Sequence, residues 1–238
     1  MTADTQAGPA RRVPGHVLVT GGASGLGRAV ARKIADADGV PYVLDVNPNP
    51  DGFEQETVDL ADTRAAEEAV RKVVERAGGL DAVVTAAAMD TPRDFAEVDG
   101  ETWERIVRVN LFGTAAVVRA ALPSLVERRG TVVTVASTLG LRALPAATAY
   151  AASKHGVVGF TRALALELGG QVGVTMLVPG GMATAFFDGR PDEFKPAPDQ
   201  LLNDPAHVAE AVLFALRQPA GCEVRELVIT PSVEPSWP

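Results

Sequence analysis

Cysteine is almost absent from this chain of 238 residues: Cys222 stands alone, so an internal disulfide framework is excluded and a reducing compartment is expected. Histidine is scarce as well. His16, His155 and His207 are scattered and offer none of the close spacings that metal sites use. Basic residues number 22 against 30 acidic ones, giving a formal charge of -8, and no run of Lys or Arg exceeds two. Nucleic acid is therefore not an expected partner, because its phosphates need a basic patch. Nearly uncharged apolar stretches fall well short of the ~20 residues of a membrane span, so no membrane partner is expected either. Residues 1–14 are small and polar, lack the apolar centre of a signal peptide, and read as a flexible tail. These absences leave a cytoplasmic soluble protein as the expectation.

What is present is an ordinary globular composition, 47% apolar and 22% charged. The length suits one domain over residues 15–238. Short apolar runs alternate with longer amphipathic ones. Strands are expected at 16–20, 40–45, 57–58, 80–85, 130–137, 172–178 and 227–230. Helices are expected at 25–37, 62–77, 146–168 and 207–217. Residues 103–128 hold one long helix or two joined ones, shortened or kinked at Pro123. This alternation predicts an α/β fold, a doubly wound parallel sheet of the Rossmann type with helices on both faces. Residues 184–205 carry four prolines and weak periodicity, and form either a loop or short helices over a site.

A glycine cluster, Thr20-Gly21-Gly22-Ala23-Ser24-Gly25-Leu26-Gly27, lies between the first strand and the first helix. Glycines there allow a tight turn and close approach of a pyrophosphate to a helix N-terminus. A strand–helix turn that merely needs glycine is the bland alternative. Asp45 ends the second strand. A carboxylate there accepts hydrogen bonds from ribose hydroxyls and repels a 2′-phosphate, which predicts NAD over NADP.

Tyr150 and Lys154 are four apart on one face of the long helix, and Ser137 ends the strand before it. A free phenol titrates near about 10, too high for a base at neutral pH, and a nearby ammonium lowers that value. Tyr150 would exchange a proton with a substrate oxygen, and Ser137 would hydrogen-bond the same oxygen. The plainer reading is an aromatic and a snorkelling lysine on an amphipathic helix.

From about His16 to about Thr230 the chain resembles a short-chain dehydrogenase/reductase of the roughly 250-residue type. Thr20 to Gly27 matches that family's Thr-Gly-x-x-x-Gly-x-Gly motif, and Asn110, Ser137, Tyr150 and Lys154 match its catalytic tetrad in identity and order. The resemblance implies that Tyr150 is the general acid/base, that Lys154 lowers its pKa and binds the nicotinamide ribose, that Ser137 polarises the substrate oxygen, and that Asn110 anchors a water in the proton relay. It also implies that Asp59 and Leu60 meet the adenine, that Pro179, Gly180 and Thr184 run beside the nicotinamide, and that the subunits form a homodimer or homotetramer. Many relatives carry Asn-Asn-Ala-Gly where this chain has Thr85-Ala86-Ala87-Ala88. Ala86 and Ala87 still leave room for the adenosine, and Thr85 is expected to replace part of the asparagine's hydrogen bonding.

Substrate recognition is expected from residues 89–95, 138–145 and 184–202. Leu139, Leu144, Met182, Phe186 and Phe187 suggest a largely apolar pocket. Arg142 and Arg190 are candidate anion contacts, although loop arginines are more often solvated. Trp237, in an unusual Pro/Trp tail, is either an interface anchor, the favoured reading, or packed on its own subunit. The leading expectation is an NAD-dependent oxidoreductase interconverting a small-molecule secondary alcohol and a ketone. The alternatives are a 3-oxoacyl thioester reductase using NADPH and a non-catalytic dinucleotide-binding regulator. The acidic surface and Asp45 count against the first, and the filled tetrad counts against the second.

Overall fold

The computed structural model describes residues 13–219 and 221–237. Most of the expected tail lies outside them; Pro14, at its end, is buried.

Among the described residues seven strands form one parallel sheet: β1 (His16–Thr20), β2 (Val40–Asp45), β3 (Glu54–Thr57), β4 (Ala82–Thr85), β5 (Thr131–Val135), β6 (Gly173–Pro179) and β7 (Glu226–Ile229). Their order is β3-β2-β1-β4-β5-β6-β7. The strand order reverses between β1 and β4, and open sheets of this kind bind ligands beyond the strand C-termini at such a switch point. Central strands are continuous apolar runs because helices cover both faces. Helices α1 (Gly25–Ala35) and α6 (Pro205–Leu216) contribute Val30, Ile34, Val208 and Val212 to one core, on one face of the sheet. On the other face, α2 (Thr63–Ala77), α4 (Thr114–Arg128) and α5 (Thr148–Glu167) contribute Val70, Val117 and Leu164 to a second core.

The edge strand falls at Glu54–Thr57 rather than at 57–58. It is polar, and Arg76 of α2 pairs with both Glu54 and Glu56. The expected break at Pro123 is also displaced. Helix α3 (Gly100–Val107) runs through a π-helical segment, Arg108–Gly113, into α4, and Pro123 lies inside α4. The joined run Gly100–Arg128 is 29 residues long and apolar enough to cross a membrane by length and composition, which the expectation of short apolar stretches did not foresee. Of its most apolar window, 56% is buried inside the molecule, as in the core helix of a globular protein.

Candidate active site

The turn after β1 is built from glycines for steric reasons. Gly21 and Gly25 have φ of 73° and 50°, a region that side chains disfavour. A Cβ on Gly21 would lie 2.8 Å from the Ala87 backbone, and one on Gly27 would lie 2.2 Å from the Gly21 carbonyl oxygen. Ser24, the cap of α1, makes no side-chain cap bond, so the first-turn N–H groups of Gly25, Leu26 and Gly27 keep their capacity to hold an anion. Asp45 at the end of β2 accepts from the Ala23 N–H at 3.0 Å, which ties the second strand to the turn. The Thr20 hydroxyl accepts from the Ala87 N–H at 3.0 Å and fastens the end of β1 to the loop after β4.

That last bond corrects an expectation. Thr85 was to stand in for an asparagine, but its hydroxyl is buried and finds no partner among the described residues. Its side chain lies in the densely packed strand interior, and the tie is made by Thr20 instead.

One cleft of about 830 Å³ runs along the strand C-termini. Gly21, Ser24, Gly25, Leu26 and Gly27 line it beside Asp45 at one end. Asp59, Leu60, Ala86 and Ala87 lie along its wall, and Ser137, Tyr150, Lys154, Pro179, Gly180 and Thr184 lie further along. Leu139, Leu144, Met182, Phe186 and Phe187 line the same cleft. The glycine turn, the carboxylate at its rim and the small Ala86–Ala88 wall fit an extended dinucleotide. Asp59 is engaged already: it accepts from the Ala61 N–H and pairs with Arg105 at 2.7 Å.

Of the expected tetrad only Asn110 does not line the cleft, and the candidate anion contact Arg142 does not line it either. Asn110 is fully buried in the π segment. Its amide donates to the Met89 carbonyl at 2.9 Å and to the Ser153 hydroxyl at 3.1 Å, while its oxygen accepts from the Met89 N–H at 2.9 Å. Asn110 thus joins the loop after β4 to α5. A π-bulge rotates the following residues relative to a regular helix, and such bulges recur at functional sites.

Tyr150 and Lys154 are both buried. Burial pushes the Tyr150 phenol up to about 12; the Ser137 hydroxyl pulls it down, Asp90 pushes it further up and Arg190 pulls it down. Burial brings Lys154 down to about 8. The phenol's net shift is upward because burial outweighs the contacts that lower it. The Lys154 Nζ donates to the Val135 carbonyl at 2.8 Å and sits 5.7 Å from the centre of the Tyr150 ring. Burial has moved both groups toward their neutral forms.

Three features escaped the sequence reading. Arg190, expected more often than not to be solvated, has a side chain only 11% exposed and pairs with Asp90 at 3.0 Å. Glu234 accepts from the Gly181 N–H at 2.8 Å, and Ser236 shares a 2.7 Å hydrogen bond with Thr138, so the C-terminal tail forms part of the cleft wall. Trp237 is half-buried, with the Arg142 guanidinium 5.8 Å from its ring, a contact the sequence did not reveal. The only hint in the sequence was the oddness of the tail itself.

Comparison with known proteins agrees with this geometry. The family model described as short chain dehydrogenase matches residues 15–193. A 3-oxoacyl-[acyl-carrier-protein] reductase of Thermotoga maritima is 30% identical over 223 residues, 85% of this chain and 91% of that protein. An uncharacterized oxidoreductase of Staphylococcus saprophyticus is 31% identical over 230 residues, 90% of this chain and 96% of that one. Among solved structures, an alcohol dehydrogenase from Thermococcus sibiricus complexed with 5-hydroxy-NADP superposes with a TM-score of 0.81 at 25% identity, covering 90% of this chain and 95% of that one. Sheet order, glycine turn and sequence match converge, and the chain belongs to the short chain dehydrogenase family of oxidoreductases.

Proposed function

We propose that this protein is an NAD-dependent oxidoreductase interconverting a secondary alcohol and a ketone, with Tyr150 as general acid/base. The observation that carries the reading is the convergence of Ser137, Tyr150 and Lys154, two of them buried titratable groups, in the same cleft as the glycine turn. A dinucleotide, when bound, supplies the hydride donor or acceptor. In the reducing direction the protonated Tyr150 phenol gives its proton to the carbonyl oxygen, and the Ser137 hydroxyl donates a hydrogen bond to that oxygen as negative charge gathers there. In the oxidising direction the phenolate takes the hydroxyl proton back. Lys154 holds the ribose and steadies the phenolate electrostatically, and Asn110 anchors a water in the relay. Asp59 and Leu60 meet the adenine; Pro179, Gly180 and Thr184 border the nicotinamide. Leu139, Leu144, Met182, Phe186 and Phe187 give the substrate an apolar surround.

The preference for NAD rests on Asp45 and on the arginines of α1. Arg28 donates to Asp51 through two bonds of 2.7 and 2.9 Å, and Arg32 pairs with the same carboxylate at 3.0 Å, so both are engaged away from a 2′-phosphate. Asp45→Ala is expected to weaken NADH at least tenfold and NADPH far less, measured by fluorescence titration; the opposite order contradicts the assignment. A second reading, an NADPH-dependent 3-oxoacyl thioester reductase, draws on the Thermotoga maritima relative. Assaying absorbance at 340 nm with both cofactors, simple ketones and a 3-oxoacyl thioester separates the two readings, and no turnover of any of them would favour a regulator. The active form proposed is a homodimer or homotetramer.

A further inference from the structure

The loop after β6 is pinched at its base. The Asn203 N–H donates to the Gly181 carbonyl and the Ala183 N–H to the Asn203 carbonyl, both at 2.9 Å. Between these points Phe186, Phe187, Arg190 and Phe194 line the cleft. Among the described residues, the one hydrogen bond that residues 185–200 make to anything outside the loop is a buried ion pair. The Arg190 Nη2 donates at 3.0 Å to the Oδ2 of Asp90, on the loop after β4, with side chains 11% and 6% exposed.

The pair fixes more than the place of the loop. The Arg190 guanidinium carbon lies 4.7 Å from the ring centre of Phe186 and 4.9 Å from that of Phe187. The two rings meet edge to face with their centres 5.7 Å apart. A planar cation packed on aromatic rings is held in orientation as well as in position, and it holds the rings in turn. Phe186 carries this constraint to the catalytic phenol. Its ring centre lies 5.7 Å from that of Tyr150, with the planes tilted by 53°. Aromatic rings at this separation are in contact, so no substrate group fits between them.

Resting on the oxidoreductase reading above, we propose that Phe186 is a wall beside Tyr150 that limits one substituent of the reacting ketone to about the size of a methyl group, and that Arg190, tied to Asp90, keeps this wall in place. The substrates are then ketones with one small and one larger apolar substituent, and the matching secondary alcohols. The larger substituent takes the rest of the apolar cleft. Phe186 is thereby a specificity-determining residue, and Arg190 and Asp90 are positioning residues that act through it.

The test compares two isomers, 2-heptanone and 4-heptanone, which differ in where the carbonyl sits and little in apolar area. The first can present a methyl group to Phe186; the second presents a propyl group whichever way it binds. Wild-type kcat/KM is expected to favour 2-heptanone about tenfold or more, the scale on which an apolar pocket discriminates by a methylene or two. Phe186→Ala should bring the ratio within about threefold, chiefly by raising kcat/KM for 4-heptanone. Arg190→Met, which removes the ion pair but keeps an apolar chain, should lower the ratio at least threefold. That change leaves Asp90 as an unpaired buried charge, so Asp90→Asn combined with Arg190→Met is measured beside it and should lower the ratio as much. NADH affinity and thermal unfolding of each variant report whether the fold is intact; a merely structural loss would slow both isomers together and leave the ratio alone. A wild type that reduces ketones but shows no preference for 2-heptanone overturns this inference alone, as does a ratio unchanged in Phe186→Ala or in the folded double variant. A wild type that binds NADH yet reduces no ketone contradicts the oxidoreductase reading and takes the inference with it.

Discussion

Tyr150 and Lys154 lie one helical turn apart on α5, and burial acts on them in opposite senses. The phenol is raised and so keeps its proton through neutral pH. Ketone reduction, which needs that proton, is expected to hold steady from pH 6 to pH 8 as far as Tyr150 is concerned. Alcohol oxidation, which needs the phenolate, should climb over the same range and beyond. Initial rates in both directions across that range check this; an oxidation rate falling with pH contradicts it. Lys154 carries a stability consequence. Its folded-state pKa of about 8 lies below the ordinary 10.5, so the unfolded chain binds the extra proton between those values and stability rises with pH through that window. Below it, the charged lysine costs the fold on the order of 3 kcal/mol, offset by roughly 1 kcal/mol from its bond to Val135. Lys154→Met should therefore be about 2 kcal/mol more stable than wild type at pH 7, with the gap closing toward pH 10.5. Urea unfolding at pH 7 and pH 10 measures it, and an equal gap at both values contradicts the account. The chemistry of these two residues was legible from their identities and spacing, but the sense of the phenol's shift was not. It depends on how deeply α5 buries the phenol and on Asp90 and Arg190, which come to it from loops far away in the chain.

At the scale of elements, two devices shape the site. The π segment Arg108–Gly113 is held by Asn110, whose partners Met89 and Ser153 lie 21 and 43 residues away. Periodicity sees neither, which is why the sequence pointed to Pro123 as the break. β3 was misplaced for another reason: an edge strand with charged side chains has no apolar run to find. The central strands and their helices were legible because burial on both faces demands continuous apolar runs and amphipathic stripes. The tail is the second device. Glu234 grips the Gly181 N–H and Ser236 grips Thr138, the neighbour of Ser137. Deleting residues 232–238 is expected to raise KM for the ketone at least fivefold while NADH affinity stays within twofold. Equal effects on both would show that the tail acts on the whole fold and not on the substrate end of the cleft.

For the whole molecule, the parallel strand order brings the glycine turn, Asp45, Ser137 and Pro179 together at the C-terminal ends of the strands, and Asp90 and Arg190 meet there across 100 residues. That meeting was beyond the reach of the sequence, since neither loop has a periodic pattern to position it. The proposed oligomer predicts a light-scattering mass of two or four times the 24.8 kDa chain, and a monomer at assay concentration contradicts it. The central claim is that this cleft transfers hydride with Tyr150 handling the proton. The most direct test is the rate of NADH oxidation with a ketone the wild type reduces, compared with Tyr150→Phe, alongside NADH affinity for both proteins. The account predicts a loss in kcat of about 10²-fold or more with affinity changed less than about threefold; a Tyr150→Phe enzyme that turns over at the wild-type rate contradicts it.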